Sequence, residues 1–318
     1  MNPSEEITLE HIRDAAARIA PHAHVTPVLR SRSLDALAGC ELHFKAEHTQ
    51  RVGAFKFRGA ANAVFSLDEA TAARGVLTQS SGNHGAAIAL ACRLRGISAT
   101  VVVPNTAPAV KLAAIQSYGA HIEPCEPTMQ SRDEVTAKLL AQSGAEVIHP
   151  FDDPRVIAGQ GTVALELLHQ VPQLDAILAP VSGGGLLSGI AIAARALAPS
   201  IEILGAEPSG AADAHDSLIK GHRIVGRTPD TICDGLRGQL SERTFALIRA
   251  HTDGILLAND DDVREAMHWL FSRMKQVIEP SGAMAMAAVL RHRERFAGKR
   301  VGIVLTGGNV DLSALFTS

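Results

Sequence analysis

The 318-residue sequence lacks several features that would assign it to a specialised class of protein. Aromatic residues make up only 3% of the chain, with one Trp and one Tyr, which disfavours a surface that stacks nucleic-acid bases. Neither sign of charge dominates, because 30 Lys and Arg stand against 33 Asp and Glu. No apolar run reaches the roughly 18 residues that a membrane span needs. We therefore expect neither a nucleic-acid partner nor a membrane partner.

Cysteines are also few, and none lies close to another in the sequence. Cys40, Cys92, Cys125 and Cys233 form no zinc-binding or redox pair, and their spacing does not predict a disulfide framework. We expect isolated thiols in or near the core. The first 20 residues lack the basic and apolar segments of a signal peptide, so a cytoplasmic protein is the expectation.

Short β-branched or apolar runs alternate with alanine-rich stretches along most of the chain. This rhythm is typical of β-α-β units and parallel sheets, at whose carboxyl ends ligands collect. The predicted strands cover residues 41–47, 75–79, 98–103, 146–149, 176–181, 202–206 and 300–306. The predicted helices cover residues 59–65, 86–94, 109–118, 131–142, 161–169 and 186–197.

A lysine lies where a predicted strand gives way to a helix, in Gly-Ala-Phe-Lys-Phe-Arg-Gly-Ala at residues 53–60. A cation near a helix N-terminus is destabilised by the helix dipole, which favours the neutral amine of Lys56. Schiff-base formation with a carbonyl cofactor requires a neutral amine. Taken alone, the pattern also fits an ordinary surface lysine.

Ser-Ser-Gly-Asn-His-Gly at residues 80–85 stands between a predicted strand and a predicted helix. Small residues let the backbone approach a ligand closely, and free N–H groups at a helix start suit a carboxylate. A tight turn with a left-handed Asn would explain the same residues without a ligand.

Val-Ser-Gly-Gly-Gly-Leu at residues 181–186 precedes another predicted helix. Consecutive backbone amides at a helix N-terminus predict a phosphate-binding loop. A dinucleotide-binding fold is the alternative, because Glu207 lies 22 residues beyond Gly185. The spacing G-x-G-x-x-G fails, however, since the sixth position counted from Gly183 is Ser188.

The last predicted strand runs into Leu-Thr-Gly-Gly-Asn-Val-Asp at residues 305–311. A hydroxyl at a strand end, here that of Thr306, can hydrogen-bond a heterocyclic nitrogen without protonating it. A simple Gly-Gly turn is the alternative interpretation.

In this order along the chain, the four motifs resemble those of fold-type II pyridoxal-phosphate (PLP) enzymes of the serine racemase, serine/threonine dehydratase and 3-hydroxyaspartate dehydratase group. The resemblance extends to residues 156–162 and 278–280. It implies an α/β fold like that of the tryptophan synthase β subunit, with two interleaved open twisted parallel-sheet domains. We expect residues 1–65 and 154–318 to form the large PLP-binding domain and residues 66–153 the small domain, with the cofactor between them.

The resemblance also implies the roles of individual residues. Lys56 would form the Schiff base and act as general base, and Ser81 would exchange a proton on the opposite face. The implied cofactor ligands also include Phe55, Asn83, Ser182, Gly183, Gly184, Gly185, Leu186, Glu279 and Thr306. The implied substrate contacts are Ser80, Ser81, Asn83, His84 and Arg132.

The reaction expected from this resemblance is α,β-elimination of a β-hydroxy amino acid (L-serine, L-threonine or 3-hydroxyaspartate) to a 2-oxo acid and ammonia. Arg132 would pair with a β-carboxylate and so favour 3-hydroxyaspartate, unless it is a surface arginine. Serine racemase with dehydratase side activity is the alternative. Thr306 argues for elimination because a neutral partner of the ring nitrogen shortens the life of the carbanion, and Ala54 and Gly238 lack hydroxyls that some racemases have.

Two other functional classes share parts of this pattern. A β-replacement enzyme such as a cysteine synthase would share the lysine and the glycine loop but would have a different asparagine loop. A non-catalytic ligand-binding member of the group would lack the lysine, and Lys56 argues against it.

Glu-Pro-Ser-Gly-Ala-Ala-Asp at residues 207–213 resembles the divalent-cation loop of the same enzymes. The carboxylates of Glu207 and Asp213 and the carbonyl of Ala211 would form an all-oxygen set, which suits Mg²⁺, Mn²⁺ or Ca²⁺. A solvated acidic loop is the alternative. We also expect a homodimer that acts on a small-molecule substrate.

Overall fold

The computed structural model describes residues 6–107 and 109–311, and backbone contacts divide the chain into two units. The first unit consists of residues 1–24 and 56–162, and the second of residues 25–55 and 163–318. Each unit contains its own parallel sheet with helices, which confirms the α/β class with two parallel-sheet domains. The domain limits inferred from the sequence stay a prediction.

Helices and strands alternate along most of the chain, as the sequence pattern predicts. The strands are β1 (Val28–Leu29), β2 (Glu41–Lys45), β3 (Val76–Gln79), β4 (Ala99–Pro104), β5 (His121–Cys125), β6 (Glu146–Val147), β7 (Ala176–Pro180), β8 (Glu202–Pro208), β9 (Gly254–Ala258) and β10 (Arg300–Val304). The helices up to the middle of the chain are α1 (Leu9–Ile19), α2 (Arg32–Ala38), α3 (Lys56–Phe65), α4 (Glu69–Ala72), α5 (Asn83–Arg95), α6 (Ala109–Ser117), α7 (Met129–Ser143) and α8 (Pro154–Gln170). They are followed by α9 (Gly185–Leu197), α10 (Asp213–Lys220), α11 (Glu242–His251), α12 (Asp260–Met274) and α13 (Pro280–Arg291).

The first unit has a sheet in the order β5-β4-β3-β6, in which every pair is parallel. The edge strand β5 is not among the predicted strands. Its burial is low, and it contains Pro124, a residue that sheets accept only at an edge because it cannot donate to the ladder. An exposed edge strand lacks the apolar run by which the central strands are recognised.

The predicted helix 161–169 is longer in the structure, where α8 begins at Pro154. Two glycines in its first turns lower the helix propensity that sequence analysis relies on. Gly159 is needed for packing, since a Cβ there would lie 2.6 Å from the Cα of Gly59 on α3. The two helices therefore approach each other as closely as their backbones permit.

The second unit has a six-stranded sheet in the order β1-β2-β10-β7-β8-β9, parallel except for the antiparallel β1. Helix α13 contacts β7, β8, β9 and β10, and its residues from Ser281 to Leu290 are all buried. Each large apolar side chain in such a position, such as Met284 or Met286, stabilises the fold by about 1.5–3 kcal/mol. Because α13 is buried on all sides, the sheet face on which it packs forms the core of the second unit.

The four cysteines are free and buried, which confirms the isolated thiols expected from the sequence. Among the helices of the described residues, none combines the length and the apolar character needed to cross a bilayer.

Candidate active site

Lys56 is the first residue of α3, three residues before the predicted helix start. Its Nζ donates a hydrogen bond to the carbonyl oxygen of Pro150 at 2.8 Å. The side chain is half-buried, and loss of water around the ammonium group lowers the pKa of Lys56 to about 8. A sizeable fraction of the amine is therefore neutral near pH 8, as a Schiff-base lysine requires.

The predicted turn at residues 80–85 lies between β3 and α5, and Asn83 is the first residue of the helix. Gly85 makes the turn possible, because a Cβ there would lie 2.2 Å from the carbonyl oxygen of Ser80. Ser80 Oγ accepts a hydrogen bond from the Gly82 amide at 3.3 Å. The first amides of a helix have no partner within it, so the turn offers donors that suit a carboxylate.

His84 is buried in the first turn of α5, in the same unit as Lys56. Its Nε2 lies 3.4 Å from the carbonyl oxygen of Ile148, whereas Nδ1 is buried and has no hydrogen-bond partner. A carbonyl only accepts, so Nε2 carries the hydrogen and Nδ1 has the free lone pair. Burial, and next the nearby charge of Lys56, lower the pKa of His84 well below its ordinary value. His84 is therefore neutral beside the lysine.

Arg132 lies in the first turns of α7, which is tied to the end of β3. Gln79 Nε2, at that strand end, donates to Thr136 Oγ1 at 2.8 Å and to Asp133 Oδ1 at 3.2 Å. Arg132 Nε is buried and has no hydrogen-bond partner. The structure thus attaches the helix of Arg132 to the strand end that precedes Ser80, and leaves one guanidinium donor unused.

The glycine loop at residues 181–184 follows β7 and opens α9 in the second unit. Gly184 is the N-cap with φ 87°, and a Cβ there would lie 2.7 Å from Leu240, so both the backbone and the packing require glycine. Ser182 Oγ accepts from the Gly238 amide at 2.9 Å. Backbone amides at the start of a 13-residue helix form an anion-binding loop.

Thr306 is buried just after β10, and its backbone oxygen accepts a hydrogen bond from the Phe55 amide at 3.0 Å. Its Oγ1 lies 3.5 Å from the carbonyl oxygen of Ser281. Glu279, the N-cap of α13, donates from its amide to the Gly307 carbonyl at 3.1 Å and is also buried. Backbone hydrogen bonds therefore hold the Thr306 segment from two sides.

The predicted ligands of the second unit share one edge of its sheet. The glycine loop follows β7, the acidic loop at residues 207–213 overlaps the end of β8, and Thr306 follows β10. These strands are neighbours and parallel, so all three loops lie at the carboxyl edge, where α/β sheets bind ligands.

Glu207 and Asp213 are buried carboxyls of the acidic loop. Both Glu207 oxygens accept backbone hydrogen bonds from the first turn of α10, from Ala214 at 2.9 Å and from His215 at 2.8 Å. Asp213 Oδ2 is buried without a hydrogen-bond partner. Burial raises the pKa of Glu207 to about 8 and that of Asp213 to about 6. Two buried carboxyls and the buried Ala211 fit the oxygen donors that a hard cation prefers.

Metal sites can also be built from side chains alone. Within residues 6–107 and 109–311, no group of three or more His, Cys, Asp or Glu side chains is arranged to hold a metal ion. The predicted set contains only two such side chains, because its third member is a carbonyl.

Two residues of the site were not found from the sequence. One is Pro150, whose carbonyl oxygen accepts the hydrogen bond from Lys56 Nζ. No sequence pattern connects a backbone oxygen to a lysine 94 positions away. The other is Ser188, whose Oγ is buried without a hydrogen-bond partner in the first turn of α9. A hydroxyl one turn after a glycine loop was the available signal.

The chain also matches known proteins. Residues 19–307 match the family model described as pyridoxal-phosphate dependent enzyme. The chain belongs to this enzyme family. It is 46% identical over 319 residues to the serine racemase of Dictyostelium discoideum, covering 99% of this chain and 98% of that protein. It is also 46% identical over 308 residues to the beta-hydroxyaspartate dehydratase of Paracoccus denitrificans (strain Pd 1222), with 97% and 98% covered. The structure of maize serine racemase superimposes with a TM-score of 0.96 at 45% identity, covering 98% of this chain and 96% of that one.

Membership of the family confirms the resemblance, the fold class, the enzymatic nature and the PLP cofactor inferred from the sequence. The fold class also argues against a dinucleotide-binding fold for the chain. Among the four motifs, the lysine and asparagine motifs provide side chains of the first unit, and the glycine and threonine motifs provide loops of the second.

Proposed function

We propose that this enzyme is a PLP-dependent dehydratase that converts a β-hydroxy amino acid to a 2-oxo acid and ammonia by α,β-elimination. The observation that carries the proposal is the Lys56 amine, whose pKa is about 8, in the same unit as the Ser80 turn and the neutral His84. Similarity to a beta-hydroxyaspartate dehydratase supports it. When bound, PLP supplies an electron sink that acidifies the α-hydrogen of an amino acid.

Lys56 binds the cofactor and then takes the α-proton of the substrate. A base with a pKa of about 8 is well matched to proton transfer near neutral pH. The Pro150 carbonyl holds one hydrogen of the free amine at 2.8 Å and so limits the positions that Nζ occupies. Ser81, half-buried in the turn, is the acid that we assign to the opposite face.

The substrate carboxylate binds at the turn before α5, where Ser80, Ser81, Asn83 and His84 lie. The helix N-terminus favours negative charge there. Arg132 selects the distal group of the substrate, because its unused Nε donor and fixed charge favour a β-carboxylate such as that of 3-hydroxyaspartate. This preference separates 3-hydroxyaspartate from serine and threonine.

The cofactor is held mainly by the second unit. The amides of the glycine loop would bind its phosphate, and Phe55 would pack against its ring. Thr306 would donate to the ring nitrogen, because the 3.5 Å distance from its Oγ1 to the Ser281 carbonyl oxygen is long for a hydroxyl bond and leaves the hydrogen available. The full set of proposed cofactor contacts is Phe55, Lys56, Asn83, Ser182, Gly183, Gly184, Gly185, Leu186, Glu279 and Thr306.

A divalent cation at Glu207, Asp213 and the Ala211 carbonyl is part of the proposal. The unpartnered Asp213 oxygen and the raised pKa values support it, since a cation would stabilise both carboxylates in their charged form. We also propose that the enzyme is a cytoplasmic homodimer.

A substrate panel tests the reaction. Purified holoenzyme is supplied with L-serine, D-serine, L-threonine and the four 3-hydroxyaspartates, and both the 2-oxo acid and the enantiomers are measured. We expect oxo acid as the main product and 3-hydroxyaspartate as the preferred substrate. Sulfide incorporation into O-acetylserine, with no oxo acid from any β-hydroxy amino acid, would instead identify a β-replacement enzyme.

Serine racemase activity is the second candidate, favoured by the similarity to serine racemases and by the hydroxyl of Ser81. Racemisation needs an acid on the face opposite Lys56, whereas elimination needs only the base and a leaving group. Ser81→Ala should therefore suppress D-serine formation far more than pyruvate formation from L-serine. If the wild-type enzyme makes D-serine faster than pyruvate, racemisation is the main function.

A further inference from the structure

The loop at residues 51–55, called here the lysine loop, contains a strained residue. Val52 has φ 57° and ψ 13°, which is the left-handed region. In the described part of the chain, Lys275 is the other non-glycine residue with positive φ, and it is not β-branched. A β-branched side chain is a genuine outlier there, and such a conformation persists only where neighbours hold it.

Asn309 of the Thr-Gly-Gly-Asn motif is the neighbour that holds Val52. Its Nδ2 donates a hydrogen bond to the Val52 carbonyl oxygen at 2.7 Å. Gly53 leaves the room for this contact, because a Cβ there would lie 2.6 Å from Asn309 Oδ1. The backbone amide of Asn309 donates in turn a hydrogen bond to Glu279 Oε2 at 3.1 Å. A buried carboxylate therefore orients the asparagine that binds the strained residue.

Residues 53–55 of the lysine loop are paired by backbone hydrogen bonds with the segment from Thr306 to Gly308, which directly precedes Asn309. Gly53 O accepts from the Gly308 amide at 3.0 Å, Ala54 forms an isolated bridge with Gly307, and the Phe55 amide donates to Thr306 O at 3.0 Å. Each loop residue from Val52 to Phe55 is thus paired with the segment from Thr306 to Asn309. The next residue along the chain is Lys56.

We propose that Asn309 is a positioning residue for Lys56. Its side-chain amide bonds the Val52 carbonyl and so holds Val52 in the left-handed conformation. This conformation sets the register in which the Phe55 amide pairs with the Thr306 carbonyl. The direction from which the chain enters Lys56 is fixed by that register. This inference rests on the proposed role of Lys56, but the pairing of the lysine loop with the segment from Thr306 to Asn309 is measurable without any reaction.

The test compares Asn309→Ala with a matched control, Asn259→Ala. Asn259 is the N-cap of α12, and its side chain accepts from the Asp262 amide at 2.9 Å, so the control also removes one side-chain hydrogen bond in the same unit. Three quantities are measured in the holoenzyme or during PLP titration: hydrogen exchange of the peptide that contains Phe55, the Kd of PLP, and the melting temperature.

We expect Asn309→Ala to raise Phe55 amide exchange and the Kd of PLP by about tenfold each, the effect of losing one well-formed hydrogen bond. Asn259→Ala should lower the melting temperature and leave both other quantities unchanged. Val52→Gly removes the strain, so in that background Asn309→Ala should change exchange and Kd by less than about threefold.

The proposal is overturned if Asn309→Ala leaves Phe55 exchange and the Kd within about twofold, or if Val52→Gly does not reduce its effect. Should Asn309→Ala not fold, Asn309→Asp replaces it, since the carboxylate keeps the shape and loses the donor. Folding of either variant only together with Val52→Gly supports the proposal, and failure in both backgrounds overturns it. A substrate panel without dehydratase activity, beside the expected exchange data, would disprove the function and leave the positioning role intact.

Discussion

The two units contain different kinds of predicted site residue. In the first unit, the predicted residues are side chains with reactive or unused groups: the Lys56 amine with its lowered pKa, the unpartnered Nδ1 of His84 and the unpartnered Nε of Arg132. In the second unit, they are mostly backbone amides of a loop with a fixed shape, since Gly184 has φ 87° and Ser182 Oγ accepts from the Gly238 amide.

Proton transfer and ligand binding make opposite demands on a protein. A group that moves a proton needs a shifted pKa and a free lone pair, both of which burial provides at the expense of stability. A group that holds an anion needs fixed geometry, which glycine turns and helix N-termini provide without titratable side chains. Substitutions in the first unit should therefore change rates, and those in the second should change cofactor affinity.

The largest effect is expected for Lys56→Ala, which removes both the cofactor-binding amine and the base. Turnover should fall by at least about 10⁴-fold, as for other covalent catalysts. Lys138→Ala, at an exposed lysine of the same unit, is the control and should retain the wild-type rate. Oxo-acid formation from the preferred substrate is the measurement, and residual activity above a few per cent of wild type would contradict the assignment of Lys56.

Gly184→Ala should act on binding rather than on chemistry. The added Cβ would lie 2.7–2.9 Å from Leu240, Thr244 and Ile248, and φ is 87°. We expect the Kd of PLP to rise by at least about 30-fold, from about 2 kcal/mol of lost interaction. Gly221→Ala shares a positive φ of 72° but meets no atom within 4 Å, so it should lower stability by about 1 kcal/mol without changing the Kd. Equal changes in Kd for both variants would show that the glycine loop does not bind the phosphate.

Arg132→Ala should change substrate preference within the first unit. Loss of a charge-assisted contact to a β-carboxylate should lower kcat/KM for 3-hydroxyaspartate by about tenfold or more. The value for L-serine, which has no β-carboxylate, should stay within about threefold of wild type. Arg132→Lys keeps the charge but not the forked geometry and should recover part of the loss. Equal losses for both substrates would show that Arg132 acts on folding rather than on specificity.

The acidic loop is the exception in the second unit, since its carboxyls are titratable. Their raised pKa values mean that the folded state binds protons more tightly than the unfolded chain, whose ordinary values are 4.5 for Glu207 and 3.8 for Asp213. In chelator, stability should therefore decrease as pH rises from about 4 to about 8. Mg²⁺ at pH 8 should raise the melting temperature by about 3–6 °C.

Glu207→Gln is the control for this last prediction, because it keeps the shape of the side chain without the charge. It should reduce the pH dependence to the part due to Asp213 and abolish the response to Mg²⁺. Melting temperatures that increase with pH in chelator, or that ignore Mg²⁺ in the wild-type protein, would exclude the proposed cation site.

Much of the molecule follows from local properties of the sequence. The alternation of apolar runs and alanine-rich helices predicts parallel sheets, because the spacing of apolar residues reflects which faces of a strand or helix are buried. The number of sheet domains came from the family resemblance. The turn before α5 and the glycine loop before α9 were also predictable, since glycine and small residues between a strand and a helix have few other uses. The edge strand β5 was not found, because its half-exposed residues lack that periodicity. The two-residue edge strand β1 is too short to show it, and the apolar edge strand β9 was missed.

The residue types along the chain were enough to predict the chemical groups of the candidate site: an amine at a helix start, amides of a glycine loop, a hydroxyl after a strand and two loop carboxyls. The states of these groups depend on the folded structure. Burial lowers the pKa of Lys56, whereas the free lone pair of His84 and the conformation of Val52 depend on Ile148 and Asn309, which lie far away in the chain. The physical reason is that desolvation and hydrogen bonding depend on which groups become neighbours when the chain folds, and local sequence patterns do not encode those neighbours.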